Sequence, residues 1–534
     1  MKRYETALFI LLFAAVVAIG AVFRLSELEK RPLHGDEANQ AVKTGRLLET
    51  GTYHYDPKEH HGPTLYYLAL AVLKAAGVDK FRDSTITEYR LVPALCGIAM
   101  VALAGLLILP LGRWAAFWAA LLTAVSHAMT YYSRYYIQEM LLVLFVYAAI
   151  ACAWRWWRKP GIGWALAAGA CLGLVHATKE TCLVIFAAMA LAKVLTLLYS
   201  RLWDGHWPVL FGEDTPSERL SGRVLAMHAT ALVAAAVLVS VTFFSSFFTY
   251  PQGVMDSVMA FTTYLHRGAA GAGSAALHDK PWYYYFTLLG WTYRTAGPKW
   301  SEAPVLVLAA LGAVVLLWRR GTGIEARSAL LGRFLVFLTL VLSVAFSLLT
   351  YKTPWNLLTF FQGMILLAGV GAASLVRAGR WRPVQAVLCA VVLGAAAFEA
   401  RQAWQGNFVY AADARNPYAY AHTSTAVNKL VDLVHDLRAL DPAGTAMPVY
   451  VIQPGGDYWP LPWYFRDMTK VGYWSDVPQT PDAPVIITAP QLAPKLQPLL
   501  KDQYFITTHG LRPGRLLTVF VRQDLWDRFI ASRS

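Results

Sequence analysis

The sequence predicts a mainly α polytopic membrane protein of about eleven transmembrane helices, ending in a small extracytoplasmic α/β domain. Apolar runs near twenty residues recur through most of the chain, each long enough to cross a bilayer core of about 30 Å. Only 15% of the 534 residues are charged and 57% are hydrophobic, less charge than a soluble chain of this length carries. Beyond Gln402 the chain turns polar, and short apolar runs bounded by turn residues replace the long ones.

The first span is Thr6–Phe23, with Lys2 and Arg3 before it and no small-residue cleavage site after it; it reads as a retained anchor. A polar loop, 24–88, follows and contains short helices. The apolar stretch that begins at His61-Gly-Pro-Thr-Leu-Tyr-Tyr is short and aromatic at its start; it reads as a span or as an interfacial helix on the bilayer, and the interfacial helix fits the span parity better. Further spans are expected at Tyr89–Leu109, Ala115–Thr130, Met140–Trp157, Trp164–Ala177, Cys182–Tyr199, Val224–Phe248, Pro304–Trp318, Phe334–Leu349, Leu357–Val376 and Pro383–Ala400. Leu111-Gly-Arg113 is a tight turn. The long segment Thr249–Ala303 contains Pro281-Trp-Tyr-Tyr-Tyr-Phe, which reads as an interfacial aromatic belt.

Basic residues set the expected orientation. Arg113; Arg155, Arg158 and Lys159; Arg201 and Arg223; Arg319 and Arg320; then Arg377, Arg380 and Arg382 fall in alternate turns. With the N-terminus cytoplasmic, all of these lie inside, and the C-terminal domain lies outside an inner, cytoplasmic membrane. The expected division is a membrane domain over 1–402 and an α/β domain over 403–534. In the latter, Val449–Gln453, Val485–Thr488 and Leu517–Val521 read as strands, and Thr423–Leu440 and Gln491–Leu500 as helices. Gly455-Gly-Asp457 reads as a turn, structural or ligand-binding.

The net charge of +14 does not indicate nucleic acid, because the basic residues cluster at span ends. All five cysteines lie in apolar runs, which argues against a disulfide framework and against a cysteine-ligated zinc site. A secondary transporter would place charges and broken helices at mid-bilayer; here the charges stand at span ends.

The polar residues that remain collect on the expected outer side. Arg31-Pro-Leu-His-Gly-Asp-Glu-Ala38 carries two adjacent carboxylates, Asp36 and Glu37, after turn residues and before a helix over 38–48. Their place at a helix N-terminus favours negative charge, and capping alone would also explain them. Tyr131-Tyr-Ser-Arg-Tyr-Tyr-Ile-Gln-Glu139, His176-Ala-Thr-Lys-Glu180 and Tyr351-Lys-Thr-Pro-Trp-Asn356 fall on the same side. Acids mixed with single cations and aromatics suit a lipid-borne anionic leaving group. A carboxylate can take a proton from an incoming hydroxyl or amine, and Lys or Arg can neutralise a departing phosphate. Asp36 is the candidate base. Glu37 and Glu139 are candidates to orient the acceptor or to tune the base. Arg134, Lys179 and Lys352 are candidate phosphate contacts, with His34, His61, Glu180 and Trp355 lining the same cleft. The bland alternatives are an Arg134–Glu139 pair across a helix turn and interfacial snorkelling of Lys179 and Lys352. No cofactor is firmly implied. His34, Asp36, His60 and His61 could hold a divalent metal or merely hydrogen-bond.

With these motifs the chain resembles the type-C (GT-C) glycosyltransferase superfamily, in its protein O-mannosyltransferase and aminoarabinose transferase branch. Asp36-Glu37 matches the Asp-Glu or single Asp base of the first outer loop in that branch. Arg134 and Glu139 match an arginine followed five residues later by an acid, with Glu where Asp is usual. Lys179 matches a lysine after the fifth span. The His-Gly-Asp-Glu-Ala, His-Gly-Pro-x-Leu-Tyr-Tyr and Tyr-Lys-Thr-Pro-Trp set is closer still to a flippase-activity-associated membrane protein subfamily. The resemblance covers roughly residues 5–400. It implies inverting transfer of a hexosyl or pentosyl group from a polyprenyl-phosphate sugar to an extracytoplasmic protein, lipid or glycan. The alternative is a non-catalytic binder of lipid-linked glycans.

Overall fold

A computed structural model describes residues 2–59, 61–205, 207–208, 221–269, 278–294, 296–318 and 324–533, with side chains at all of these except 2–3, 263–269 and 324–326. His60, Arg319, Arg320 and most of the expected loop Arg201–Arg223 lie outside the described residues.

Among the described residues, eight helices are long and apolar enough to cross a membrane: Tyr4–Leu25, Ile86–Leu111, Glu139–Arg158, Cys182–Asp204, Gly222–Phe244, Arg327–Leu348, Pro354–Ala378 and Arg382–Val409. Three shorter apolar helices, Arg113–Val125, Ile162–His176 and Ala303–Trp318, stand at the expected third, fifth and eighth spans. A fourth short one, Thr64–Ala75, stands where an interfacial helix was expected. The protein is a multi-pass membrane protein with a small C-terminal sheet region. The turn at Gly112 has φ +96, a left-handed conformation that glycine adopts without steric cost.

The chain divides into two compact units. One comprises Met1–Ser26, Thr52–Leu68 and Arg90–Val409; the other comprises Glu27–Gly51, Ala69–Tyr89 and Tyr410–Ser534. Two parts of the expected first outer loop therefore group with the C-terminal residues.

In the first unit, the opening helix is secured by Arg24, which is fully buried in its last turn. The guanidinium donates to the carbonyls of Thr123 (2.8 Å) and Ala124 (3.1 Å) and to Ser133 Oγ (3.1 Å). It satisfies carbonyls at the C-terminal end of Arg113–Val125 that have no partner within that helix. The segment after Phe244 holds a helix the sequence did not announce, Gln252–Ala269. Around it Phe247, Phe248, Met255, Val258, Met259, Trp282, Tyr283 and Trp291 are exposed, an apolar and aromatic surface suited to a bilayer interface.

In the second unit a five-stranded sheet runs in the order β4-β3-β5-β7-β6, from β3 (Val449–Ile452), β4 (Val471–Trp474), β5 (Val485–Thr488), β6 (Tyr504–Arg512) and β7 (Arg515–Arg522). In the first unit, β1 (Thr292–Tyr293) and β2 (Lys299–Trp300) form a two-stranded antiparallel pair. β3 pairs parallel with β4 and β5, and β7 is antiparallel to both β5 and β6. Val449, Val451, Val485, Ile487, Val519 and Val521 pack under helix Ala426–Leu440 and helix Gln523–Ala531. Ile452, Ile486 and Phe520 face the other side with Leu496. Burial on both faces explains why β3, β5 and β7 read as continuous apolar runs. β4 and β6 have intermediate burial and mixed composition, and periodicity alone did not reveal them. Expected helix Gln491–Leu500 is broken into short 3-10 and α turns by Pro490, Pro494 and Pro498.

Candidate active site

In the second unit, Arg31-Pro-Leu-His-Gly-Asp-Glu-Ala38 forms the entry to helix Gly35–Thr50. His34 is the N-cap: its Nδ1 accepts the Asp36 N–H at 3.0 Å, and Glu37 Oε2 accepts the His34 N–H at 3.0 Å. This reciprocal box satisfies two helix donors. It also separates the two carboxylates. Glu37 is buried, with 0% of its side chain exposed, and lies 3.8 Å from the Arg31 guanidinium. Asp36 has 51% of its side chain exposed, and its carboxylate lies 3.7 Å from His34 Nδ1. Capping thus occupies Glu37 and leaves Asp36 outward at the positive end of the helix dipole.

The surroundings of this turn come from residues far along the chain. His422 is buried with its ring 5.6 Å from that of His34. Burial holds the His34 imidazole below the usual histidine range; Asp36 and Glu37 oppose this, and Arg512 and Arg31 reinforce it. His422 is held well below that range, again chiefly by burial, with the charge of Arg31 next. Both histidines therefore favour the neutral form when folded, whereas an unfolded histidine takes up a proton near pH 6.5. The stability they contribute is complete above about pH 6.5 and is lost progressively as pH falls below it. The expected result is a melting temperature that drops between pH 7 and 5, with a flatter profile in His34→Asn, which caps without titrating. Identical pH profiles for the two proteins would contradict this.

In the first unit, three of the expected outer turns meet. Lys179 Nζ forms an ion pair with Glu139 Oε1 and donates to Asn356 Oδ1 at 3.3 Å. Both ionised side chains are buried, and Glu139 Oε2 is buried without a hydrogen-bond partner. Trp355, beside Asn356, lies 6.1 Å and 6.0 Å in ring-centroid distance from Tyr132 and Tyr135. Next to Lys179, Glu180 accepts from Tyr55 Oη (3.0 Å) and pairs with His61 Nδ1 (2.8 Å). Burial pushes the Glu180 carboxyl up, but the charge and hydrogen bond of His61, together with a backbone N–H and the charge of Lys179, bring the group below its usual value. The two sequence motifs interlock here. Thr64 N–H donates to Ala177 O (3.2 Å), Thr64 and Thr178 hydroxyls bond at 2.8 Å, and a Cβ at Gly62 would collide with the Ala177 carbonyl. Gly62 is required by that close approach.

Two residues have other partners than expected. Arg134 does not pair with Glu139. It donates to the carbonyls of Phe23 (3.1 Å) and Ser26 and stacks 4.7 Å over Phe408, so it closes the end of the first helix. The chain turns between Tyr132 and Glu139, where the next helix begins, so the two do not share a helix face. Lys352 does not snorkel: it is buried, donating to the carbonyls of Lys280 (2.9 Å) and Leu349. Lys179 is likewise buried. Burial lowers the Lys352 ammonium from its usual value, against the charge of Asp279.

Among the described residues, no group of three or more His, Cys, Asp or Glu side chains converges to hold a metal. The His34 Nδ1 lone pair is engaged by the cap, and His60 lies outside the described residues. Sequence reasoning missed Tyr55 and His422, lone residues in loops, and Tyr464, at the end of the short helix Leu461–Tyr464; none carries a periodic or motif signal.

The chain is similar to the crystal structure of ArnT from Cupriavidus metallidurans bound to undecaprenyl phosphate, with TM-score 0.62, 16% identity, and 97% of this chain and 99% of that chain covered. It is also similar to the apo oligosaccharyltransferase of Archaeoglobus fulgidus (TM-score 0.54, 12% identity, 88% and 65% covered). A third similarity is to archaeal AglB from Archaeoglobus fulgidus in complex with an inhibitory peptide and a dolichol-phosphate (TM-score 0.51, 11% identity, 91% and 70% covered). No curated protein sequence gives a match. The chain is therefore a multi-pass membrane protein with an ArnT-like fold. Within that fold, residues 66–252 match the family model of dolichyl-phosphate-mannose-protein mannosyltransferase.

Proposed function

We propose that this protein transfers one sugar from a polyprenyl-phosphate sugar to an acceptor outside the cytoplasmic membrane, with Asp36 as general base. The observation that carries this reading is the division of labour at the helix entry: Glu37 is consumed in the cap, and Asp36 is left exposed. Asp36 takes the proton of an acceptor hydroxyl or amine. The freed lone pair attacks the anomeric carbon as the bond to the lipid phosphate breaks, and the phosphate leaves with that electron pair. Attack opposite the leaving group inverts the anomeric centre. Lys179, Arg134 and Lys352 are the cations offered to the phosphate. Glu139 holds the Lys179 ammonium. His61, Glu180 and Trp355 shape the wall beside it, and the bilayer-facing helices accommodate the polyprenyl chain. The mannosyltransferase family match and the ArnT-like fold support this reading.

A screen of radiolabelled polyprenyl-phosphate sugars with purified protein tests it, with Asp36→Asn as the control. Label should pass from one donor to an acceptor in the native protein alone. Binding of donors with no turnover in either protein would favour a non-catalytic lipid-glycan binder. For orientation, a reporter fused after Ser534 is expected to be active outside the cytoplasm; activity confined to the cytoplasm would overturn the arrangement of eleven spans with the N-terminus inside.

A further inference from the structure

The turn that bears Asp36 is clamped by residues of the C-terminal domain within the same compact unit. Tyr464 Oη accepts the Leu33 N–H at 3.1 Å, from 431 positions along the chain. The buried His422 ring lies against His34. A Cβ at Gly35 would stand 3.3 Å from Trp459 Cβ, so the chain there approaches as closely as side chains allow. The loop segment 69–89 is held by the same part of the domain: Trp463 packs edge-on to Phe81 (5.6 Å) and Tyr89 (5.2 Å), and Arg466 donates to Ser84 O.

None of these contacts is needed to start the helix, because His34 and Glu37 already form the cap. A hydrogen bond at Leu33, one residue ahead of the cap, adds no capping. It fixes the direction in which the cap faces, and with it the direction of the Asp36 side chain. We infer that Tyr464 and His422 are positioning residues for the Asp36 carboxylate, making the α/β domain the scaffold of the catalytic turn. This rests on Asp36 being the base.

The test uses the full chain in detergent or vesicles with its labelled donor. Tyr464→Phe removes the acceptor for Leu33 N–H while keeping the ring, and His422→Gln replaces the buried imidazole with a neutral polar group. Misplacing a reacting group by about 1 Å can cost about 10²-fold in rate. Each variant should lower kcat by at least roughly tenfold, with KM for the donor unchanged, since the donor contacts are not altered. Val485→Ala, deep in the sheet, is the structural control: it should lower Tm and leave the kcat of the folded protein unchanged. The proposal falls if Tyr464→Phe and His422→Gln keep the native kcat while Asp36→Asn is inactive. It falls equally if their losses only track the folded fraction, as in the control. Native turnover in Asp36→Asn would instead remove the base assignment beneath it.

Discussion

Asp36→Asn is expected to lower turnover by about 10²–10⁴ and to leave the fold unchanged. The magnitude is that of a positioned general base. The substitution keeps size and shape and removes only the ability to take a proton. It leaves the cap intact, because Asp36 enters the capping box through its backbone N–H, and the side-chain acceptors belong to His34 and Glu37. Helical content and melting temperature should therefore match the native protein, and donor KM should be unaffected. Glu37→Gln offers the contrast. It removes the buried charge beside Arg31 and lowers stability, with a smaller effect on the rate of folded protein. If the two variants exchanged behaviours, with Glu37→Gln inactive but stable and Asp36→Asn active, the assignment of roles would be reversed. Single-turnover transfer of labelled sugar, measured beside thermal melts, separates these outcomes.

Lys179→Ala is expected to cost about 3–5 kcal/mol of stability, the range for removing one partner of a buried ion pair. Glu139 would then be left buried without its cation, with one oxygen already lacking a hydrogen bond. Taking both partners away together is milder, because no uncompensated charge remains. Lys179→Met with Glu139→Leu should recover most of the lost melting temperature. On the proposed function, the double variant regains stability and still fails to bind the lipid phosphate. Thermal melts of Lys179→Met, Glu139→Leu and the variant carrying both, read as a cycle, give the coupling. An unshifted melt in Lys179→Ala would show that the pair holds nothing together. Full donor affinity in the stable double variant would remove Lys179 from the phosphate site.

Much of this architecture is legible in the residues. Apolar length placed a helix at every expected span, because the bilayer demands the same satisfied backbone wherever the chain crosses it. The short motifs were also legible, and the structure explains why His61-Gly-Pro-Thr and Ala177-Thr-Lys-Glu180 occur together: Gly62 must lie against the Ala177 carbonyl. Partner choice was not legible. Spacing suggested Arg134 with Glu139, five residues apart; Glu139 instead pairs with Lys179, forty residues on. A break between two helices separates Arg134 from Glu139, and a side chain's direction is set by where its helix starts.

The sequence by itself determined where the long apolar helices lie, that strands follow in the polar C-terminal part, and that a carboxylate pair opens a helix. Those properties follow from hydropathy, chain polarity and helix-end chemistry, all local. Only the tertiary structure decided which carboxylate the cap consumes and which stays exposed. It alone revealed that residues beyond Tyr410 grip the turn carrying Asp36. Such contacts join positions hundreds of residues apart, and no local periodicity encodes them, because they exist only once the sheet and its flanking loops have closed around that turn.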